Sequence, residues 1–285
     1  MVDSPIQTNS FGQTGQLVTK VGLGGEGILR THGRTNSARG VIKEAIDQGI
    51  AYFDCARVYA GSEGYYGTLW LEQPDTRARI FQASKSASRD REGALADLET
   101  SLSTMGTPYL DLWQIHDVRA DEDIRCIEKA GGALEAFIWA KAKGKTRSIG
   151  VTGHHDPLVL ARAVRSWPVD AVMMPVNVVE GALGGFQDIT MAEARDKGMA
   201  VIGMKVLGAS HFILPELGLT PEVLIRYALS LGVDVAIVGC ATPQEVRVLA
   251  SGGRTFEPMS SEEQRDLVER VSPYASRLAY YRGFI

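Results

Sequence analysis

Eight short runs rich in Val, Ile, Leu and Ala recur along the chain, each separated from the next by a stretch with helical spacing. They lack the polar alternation of half-exposed strands and so read as strands buried on both faces. They cover residues 21–24, 51–54, 79–84, 110–115, 147–152, 171–175, 199–205 and 233–238. Helices are predicted between and after them, at 37–48, 62–71, around Leu95, Leu98 and Leu102, and at 133–143, 157–166, 188–197, 221–231 and beyond Pro243. Parallel strands need such crossovers, and eight units can close into a barrel. The expected fold is therefore α/β, a single (β/α)8 TIM barrel forming one domain over residues 1–285. An open doubly wound sheet is the structural rival. Before the first strand, residues 11–18 with Thr14-Gly15 at their centre predict a β-hairpin capping the barrel floor. A further helix is expected at 261–271 in the tail.

The thirty basic and thirty-four acidic residues leave a formal charge of −4, and no basic run stands out. That balance argues against a nucleic-acid or membrane-surface partner. No run approaches the ~18 apolar residues of a membrane span. Cys55, Cys126 and Cys240 lie far apart, which suits a reducing compartment and makes the cytoplasm the expected location. The oligomeric state is left open, a monomer included.

In a barrel, chemistry gathers where the strands end. The second strand ends at Asp54, with Tyr59 five residues on; the third leads to Lys85; the fourth runs into His116-Asp117. A lysine directly after an apolar strand is costly without a charged partner, and Asp54 on the neighbouring strand supplies one. A phenol is a poor acid–base group near neutrality, its reference pKa being about 10. An ammonium at ~4 Å is expected to lower it by about two to three units. On this reading Tyr59 exchanges a proton with a carbonyl or alcohol oxygen, Asp54 fixes Lys85, and His116 orients the substrate oxygen. A proton shuttle alone does not reduce a carbonyl, so a hydride source is implied.

These residues resemble the aldo-keto reductases. Phe53-Asp54-Cys55-Ala56-Arg57-Val58-Tyr59, with Ser62-Glu63 and Gly67 after it, is similar to that family's Asp-and-Tyr motif. Ala83-Ser84-Lys85 resembles its lysine strand and Gln114-Ile115-His116 its histidine strand. Val21-Gly22-Leu23-Gly24-Gly25 and Gly144-Lys145-Thr146-Arg147-Ser148-Ile149-Gly150-Val151 resemble its approaches to strands one and five. The likeness runs in the family's order from about residue 11 to 249. It implies a small carbonyl or alcohol substrate, a catalytic group of Tyr59, Asp54, Lys85 and His116, and NADP(H) or NAD(H) lying extended beside Tyr59. It places cofactor contacts at Gly24, Asp54, Thr152, Asn177, Met204, Lys205, Leu207, Gly239, Thr242, Glu245 and Arg247.

The chain also departs from the family. Thr152-Gly153 stands where many members have Ser-Asn, Asn177-Val178 where they have Asn-Gln, and Met204 where a tyrosine stacks on the nicotinamide. Met204 can still pack on a ring through its sulfur, and Lys205 becomes a candidate for the pyrophosphate. Basic residues that hold a 2′-phosphate are missing after strand eight: Gly239 and Glu245 occupy those places, with Arg247 and Arg254 nearby. NADP and NAD therefore both stay open.

His154-His155-Asp156 invites a metal reading. Adjacent residues at a strand end usually diverge, however, and no second His-x-His or acidic pair supports it, so no metal is expected. His154 is read as a pocket neighbour and Asp156, before Pro157, as an N-cap. Gly24-Gly25-Glu26-Gly27 lacks the third glycine of a dinucleotide fingerprint and reads as a tight rim loop. Thr242-Pro243 opens a helix whose N-terminus suits an adenosine phosphate, or is simply capped. Cys55, Cys240 and Met173-Met174 are read as core, and the short tail as leaving the pocket open. The rival from another class is a non-catalytic, cofactor-binding regulatory module, since the β subunits of potassium channels also resemble this family.

Overall fold

The computed structural model describes residues 4–283. Its strands are β1 (Thr8–Ser10), β2 (Leu17–Thr19), β3 (Val21–Leu23), β4 (Tyr52–Asp54), β5 (Phe81–Ser86), β6 (Leu110–Ile115), β7 (Thr146–Thr152), β8 (Ala171–Pro175), β9 (Ala200–Met204) and β10 (Val235–Val238). The last eight are parallel and close a barrel, with β10 pairing back onto β3 through Ala236 and Val21. The open-sheet alternative is thereby excluded. No helix among the described residues is long and apolar enough to cross a membrane.

Strand pleating sorts the side chains into two cores. Phe53, Trp113, Ile115, Ile149, Val151, Val172 and Met174 face outward and pack under the helices. Trp113 stacks on Phe137 of helix Ala133–Ala142, ring centroids 3.6 Å apart. Tyr52, Phe81, Ala83, Leu112, Ala171, Met173, Ala200, Ile202, Val235 and Ile237 fill the barrel interior. Two residues further along the same rows come Asp54, Lys85, Gln114 and Met204. The barrel is thus apolar at its base and turns polar toward the carboxyl ends of the strands.

The hairpin is present, and its pairing reaches beyond the expected segment: Thr8 faces Thr19, Asn9 faces Val18 and Ser10 faces Leu17. It plugs the base. Phe11 is fully buried, 4.7 Å from the Phe81 ring, and Gly12 N–H donates to Asp234 Oδ1 at 3.1 Å. Gly12 has φ +51°, and a Cβ there would lie 2.5 Å from Ala200 N, so this close approach requires glycine.

Two expectations need correction. The third barrel strand runs over Phe81–Ser86, so Lys85 lies inside it rather than after it. Its polar residues Gln82, Ser84 and Ser86 are buried and satisfied, which disguised the strand's end; Gln82, for example, accepts from Trp70 Nε1 at 3.1 Å. The helix expected at 188–197 is a π-turn Phe186–Thr190 running into helix Met191–Asp196, and a short helix Val178–Leu183 that the sequence did not predict precedes it. Gly184 (φ 72°) and Gly185 (φ 103°) separate that short helix from the π-turn. Helix Asp121–Glu128 precedes Ala133–Ala142 and was not expected.

Candidate active site

Asp54 ends β4 and Lys85 sits one residue from the end of β5, on adjacent strands whose register pairs Asp54 with Ala83. Both residues are 1% exposed. Lys85 Nζ donates to Asp54 Oδ2 at 2.5 Å and to the Cys55 carbonyl at 2.8 Å. Burial pulls the Lys85 pKa down, but Asp54 and Tyr59 outweigh it and hold the ammonium above its ordinary value. The lysine remains charged in a site with little water.

Beyond Asp54 the chain keeps pairing with β5, Cys55 N–H to the Ala83 carbonyl and Arg57 N–H to that of Lys85. Glu63, buried on helix Ser62–Glu72, then locks the loop: it accepts from Arg57 Nη1 at 2.5 Å, Ser84 Oγ at 2.7 Å and Ser101 Oγ at 2.6 Å. That anchor delivers Tyr59 to the barrel mouth. Its ring rests against Gly25, where a Cβ would lie 2.8 Å from the ring carbons. Lys85 Nζ is 5.0 Å and Arg30 Cζ 4.9 Å from the ring centroid, and His116 meets it edge-on at 5.5 Å. The four expected catalytic residues are therefore brought together.

The expected acidification of the phenol is reversed. Burial pushes Tyr59 up to about 12, while Lys85 and Arg30 pull it down and Asp54 and Glu26 push it further up. Desolvation outweighs the lysine's field because the site is dry. Tyr59 thus keeps its proton at neutral pH. His116 is pushed down to about 3, by burial first and Lys85 second, and stays neutral.

The expected cofactor contacts divide. Gly24 and Gly239 knit the loops after β3 and β10 together: Gly24 N–H donates to the Val238 carbonyl at 2.9 Å, and a Cβ on Gly24 would lie 2.9 Å from Gly239 N. Met204 caps the interior core and Leu207 packs between the outer core and the C-terminal cluster. Lys205, at φ 56°, makes no salt bridge among the described residues, and burial lowers its pKa. An unpaired ammonium at the mouth fits a dinucleotide's pyrophosphate. Thr152 Oγ1 accepts from Asp117 N–H at 2.8 Å and keeps only its own proton to donate. Asn177 is held within the protein: its Oδ1 caps Glu180 N–H at 3.0 Å, and its Nδ2 donates to the Lys205 carbonyl at 3.2 Å and to Tyr281 Oη at 3.3 Å. Both amide hydrogens of Asn177 are therefore engaged within the protein, and one lone pair of Oδ1 remains. Gln114, in the strand that runs into His116, is buried, and neither end of its amide has a hydrogen-bond partner among the described residues.

Helix Pro243–Arg254 is capped as expected by Thr242, but its N-terminus already holds a carboxylate. Glu245 Oε2 accepts from Ala241 N–H at 2.8 Å and its Oε1 from Thr242 Oγ1 at 3.3 Å. Arg247 turns away to Glu44 at 3.0 Å, and Arg254 donates to Gln48 Oε1 at 2.8 Å and to the Ser4 carbonyl at 3.0 Å.

The tail does not leave the mouth open on the β7 side. Tyr281 Oη donates to Glu180 Oε1 at 2.7 Å, Arg282 pairs with the same fully buried carboxylate, and His154 Nδ1 lies 2.9 Å from the Tyr281 carbonyl. Asp156 caps helix Pro157–Ser166 as expected. The two histidine rings do not diverge: their centroids are 4.4 Å apart, and both face Asp117. Arg30 and Asp117 escaped the sequence reading as site residues. Asp117 carried a signal, directly following His116 at a strand end.

A closed parallel barrel with its polar groups gathered at the carboxyl ends of its strands is the build of an enzyme. The chain belongs to the aldo/keto reductase family, whose model matches residues 20–214. That makes it an oxidoreductase of a family that works with nicotinamide cofactors. It is 25% identical over 226 residues to probable aldo-keto reductase 1 of Glycine max, covering 74% of this chain and 62% of that protein. It is also 25% identical over 256 residues to L-galactose dehydrogenase of Arabidopsis thaliana, covering 80% and 76%. Its fold is similar to the holo form of aldo-keto reductase AKR11C1 from Bacillus halodurans, with a TM-score of 0.78, 18% identity and coverage of 93% and 96%.

Proposed function

We propose that this protein reduces small aldehydes or ketones, with Tyr59 as the proton donor and NADH as the favoured cofactor. The observation that carries this reading is the protonated Tyr59 phenol held between Lys85, Arg30 and His116 at the barrel mouth. When bound, the nicotinamide supplies the hydride to the carbonyl carbon. As the carbonyl oxygen gains charge, Tyr59 gives it a proton, and the phenolate left behind is stabilised by the Lys85 ammonium beside it. Asp54 keeps that ammonium charged and in place. Neutral His116 offers a hydrogen bond to the substrate oxygen without adding a competing charge. Lys205 and the Gly24 and Gly239 loops would hold the cofactor, with the Thr152 hydroxyl toward its carboxamide.

The relatives' names span both directions of such chemistry: L-galactose dehydrogenase of Arabidopsis thaliana and methylglyoxal reductase DkgB of Escherichia coli O157:H7. A phenol pushed up to about 12 favours reduction at neutral pH, since oxidation needs the phenolate as base. The test follows cofactor absorbance with NADH and NADPH against a panel of aldehydes and ketones. Tyr59→Phe should lose ~10²–10⁴-fold in kcat while cofactor affinity stays within a factor of three. A variant keeping more than about a tenth of wild-type turnover would remove Tyr59 from the role.

A further inference from the structure

We propose that Asp117, His154 and His155 form a binding site for a divalent transition-metal ion of the zinc class, built at the barrel mouth one residue beyond His116. The three side chains come from the ends of two adjacent strands, β6 and β7. Asp117 Oδ1 lies 3.2 Å from His154 Nε2 and 3.5 Å from His155 Nε2, and one ligand atom from each residue lies within 4.8 Å of the others. Ligands ~2.0–2.1 Å from a tetrahedral ion sit about 3.3–3.4 Å apart along the tetrahedron's edges, close to the two distances from Asp117 Oδ1 to the imidazole nitrogens. Two imidazoles and one carboxylate suit zinc and its transition-metal neighbours, whereas calcium and magnesium take oxygen donors. Three protein ligands leave a fourth position for water or an oxygen-bearing ligand.

The surroundings are those of a supported ligand set. Each ligand that points inward is held from behind, as metal-binding histidines and carboxylates are. His154 Nδ1 meets the Tyr281 carbonyl at 2.9 Å, which puts the ring proton there and leaves Nε2 as the donor atom toward Asp117. Asp117 Oδ2 accepts from Arg119 Nε at 2.7 Å, its N–H donates to Thr152 Oγ1 at 2.8 Å, and its carbonyl accepts from Arg89 Nη2 at 2.7 Å. Those bonds hold Asp117 at φ 59°, a left-handed conformation that costs a non-glycine residue energy. Meanwhile Asp117 Oδ1 and His155 Nε2 are buried and have no hydrogen-bond partner among the described residues. Two imidazoles converge on one carboxylate oxygen, and a shared proton serves only one of them. A cation at their common focus satisfies all three.

The site does not depend on the reductase reading, and its test needs no turnover. The full chain, stripped with a chelator and dialysed, is titrated with Co²⁺ and followed by visible absorption, then back-titrated with Zn²⁺. The expected result is one equivalent of Co²⁺ with the intense band of a four- or five-coordinate site, displaced by one equivalent of Zn²⁺. His155→Ala, at a side chain 25% exposed, should abolish the band while circular dichroism stays unchanged. Asp117→Asn should weaken binding strongly. Thr152→Val, which removes the support of Asp117 together with the hydroxyl proposed for the carboxamide, should weaken Co²⁺ binding ~10–100-fold. Absence of the band at millimolar Co²⁺, or its survival in His155→Ala, would leave a His154–Asp117 ion pair only and overturn the assignment.

Discussion

Replacing Glu245 by arginine should turn cofactor choice toward NADPH, and the size of the effect follows from where that carboxylate sits. Glu245 is exposed, and it fills the start of helix Pro243–Arg254 by accepting from Ala241 N–H and Thr242 Oγ1. A phosphate ~4 Å away, carrying about −1.5 to −2 charges, is repelled by roughly 1.5–2 kcal/mol at the dielectric of water. Arginine replaces that repulsion with attraction of similar size, a span of about 3–4 kcal/mol. Salt with a Debye length near 8 Å reduces it to about 2 kcal/mol. The NADPH-to-NADH affinity ratio should therefore rise roughly thirty-fold, with NADH, which lacks the phosphate, changing less than about three-fold. Glu245→Gln should capture about half of the free energy, roughly five-fold. Loss of the cap costs about 1 kcal/mol of stability, so melting should fall by roughly 2–4 °C. Fluorescence quenching titrations of wild type and both variants measure the ratio. Arg247 is committed to Glu44, so no second cation on this helix offsets the change. A wild type that already binds NADPH a hundredfold better than NADH, or an unchanged ratio in Glu245→Arg, refutes the reasoning.

Three other outcomes follow from the buried charges. With Tyr59 near 12, alcohol oxidation should speed up about tenfold per pH unit between pH 7 and 10, while carbonyl reduction stays level over the same range; pH profiles of kcat/KM in both directions check this. Lys85→Met should destabilise the protein by about 3–5 kcal/mol in urea unfolding, because Asp54 is left buried and unpaired. The Lys85→Met, Asp54→Asn double variant should recover most of that loss, and a strictly additive result would deny the pair. Arg282→Met strands the fully buried Glu180 in the same way, again by about 3–5 kcal/mol, and a loss under 1 kcal/mol would show that the tail is not anchored through this charge.

The barrel was legible because strands buried on both faces announce themselves as unbroken apolar runs, and because Asp54, Tyr59, Lys85 and His116 fall at the ends of successive ones. What escaped was set by neighbours distant in sequence. The end of β5 was obscure because Ser84 and Ser86 are polar yet buried, Ser84 bound to Glu63 and Ser86 to Asp97, and neither partner lies in the strand. The Tyr59 pKa was misjudged because the charge of Lys85 is visible in the sequence and the dryness around the phenol is not. Asn177 read as a free amide because its partners, Lys205 and Tyr281, lie 28 and 104 residues away. The histidine pair read as divergent because Asp117, the residue both rings face, belongs to the preceding strand.

The seam between β10 and β3 has a consequence for how the protein is made. One edge of β3 has no partner until residues 235–238 leave the ribosome, more than two hundred residues after it. At ~5–20 residues per second, that edge waits roughly 10–40 s. The plug waits too, since Phe11 and Gly12 seat against Phe81, Ala200 and Asp234, the last of which is made nearly as late. Until then the first barrel strand keeps one unpaired apolar edge, the kind that pairs with other chains. Expression at lower temperature, or with a chaperone that shields nascent chains, should raise the soluble yield more than any substitution at the mouth.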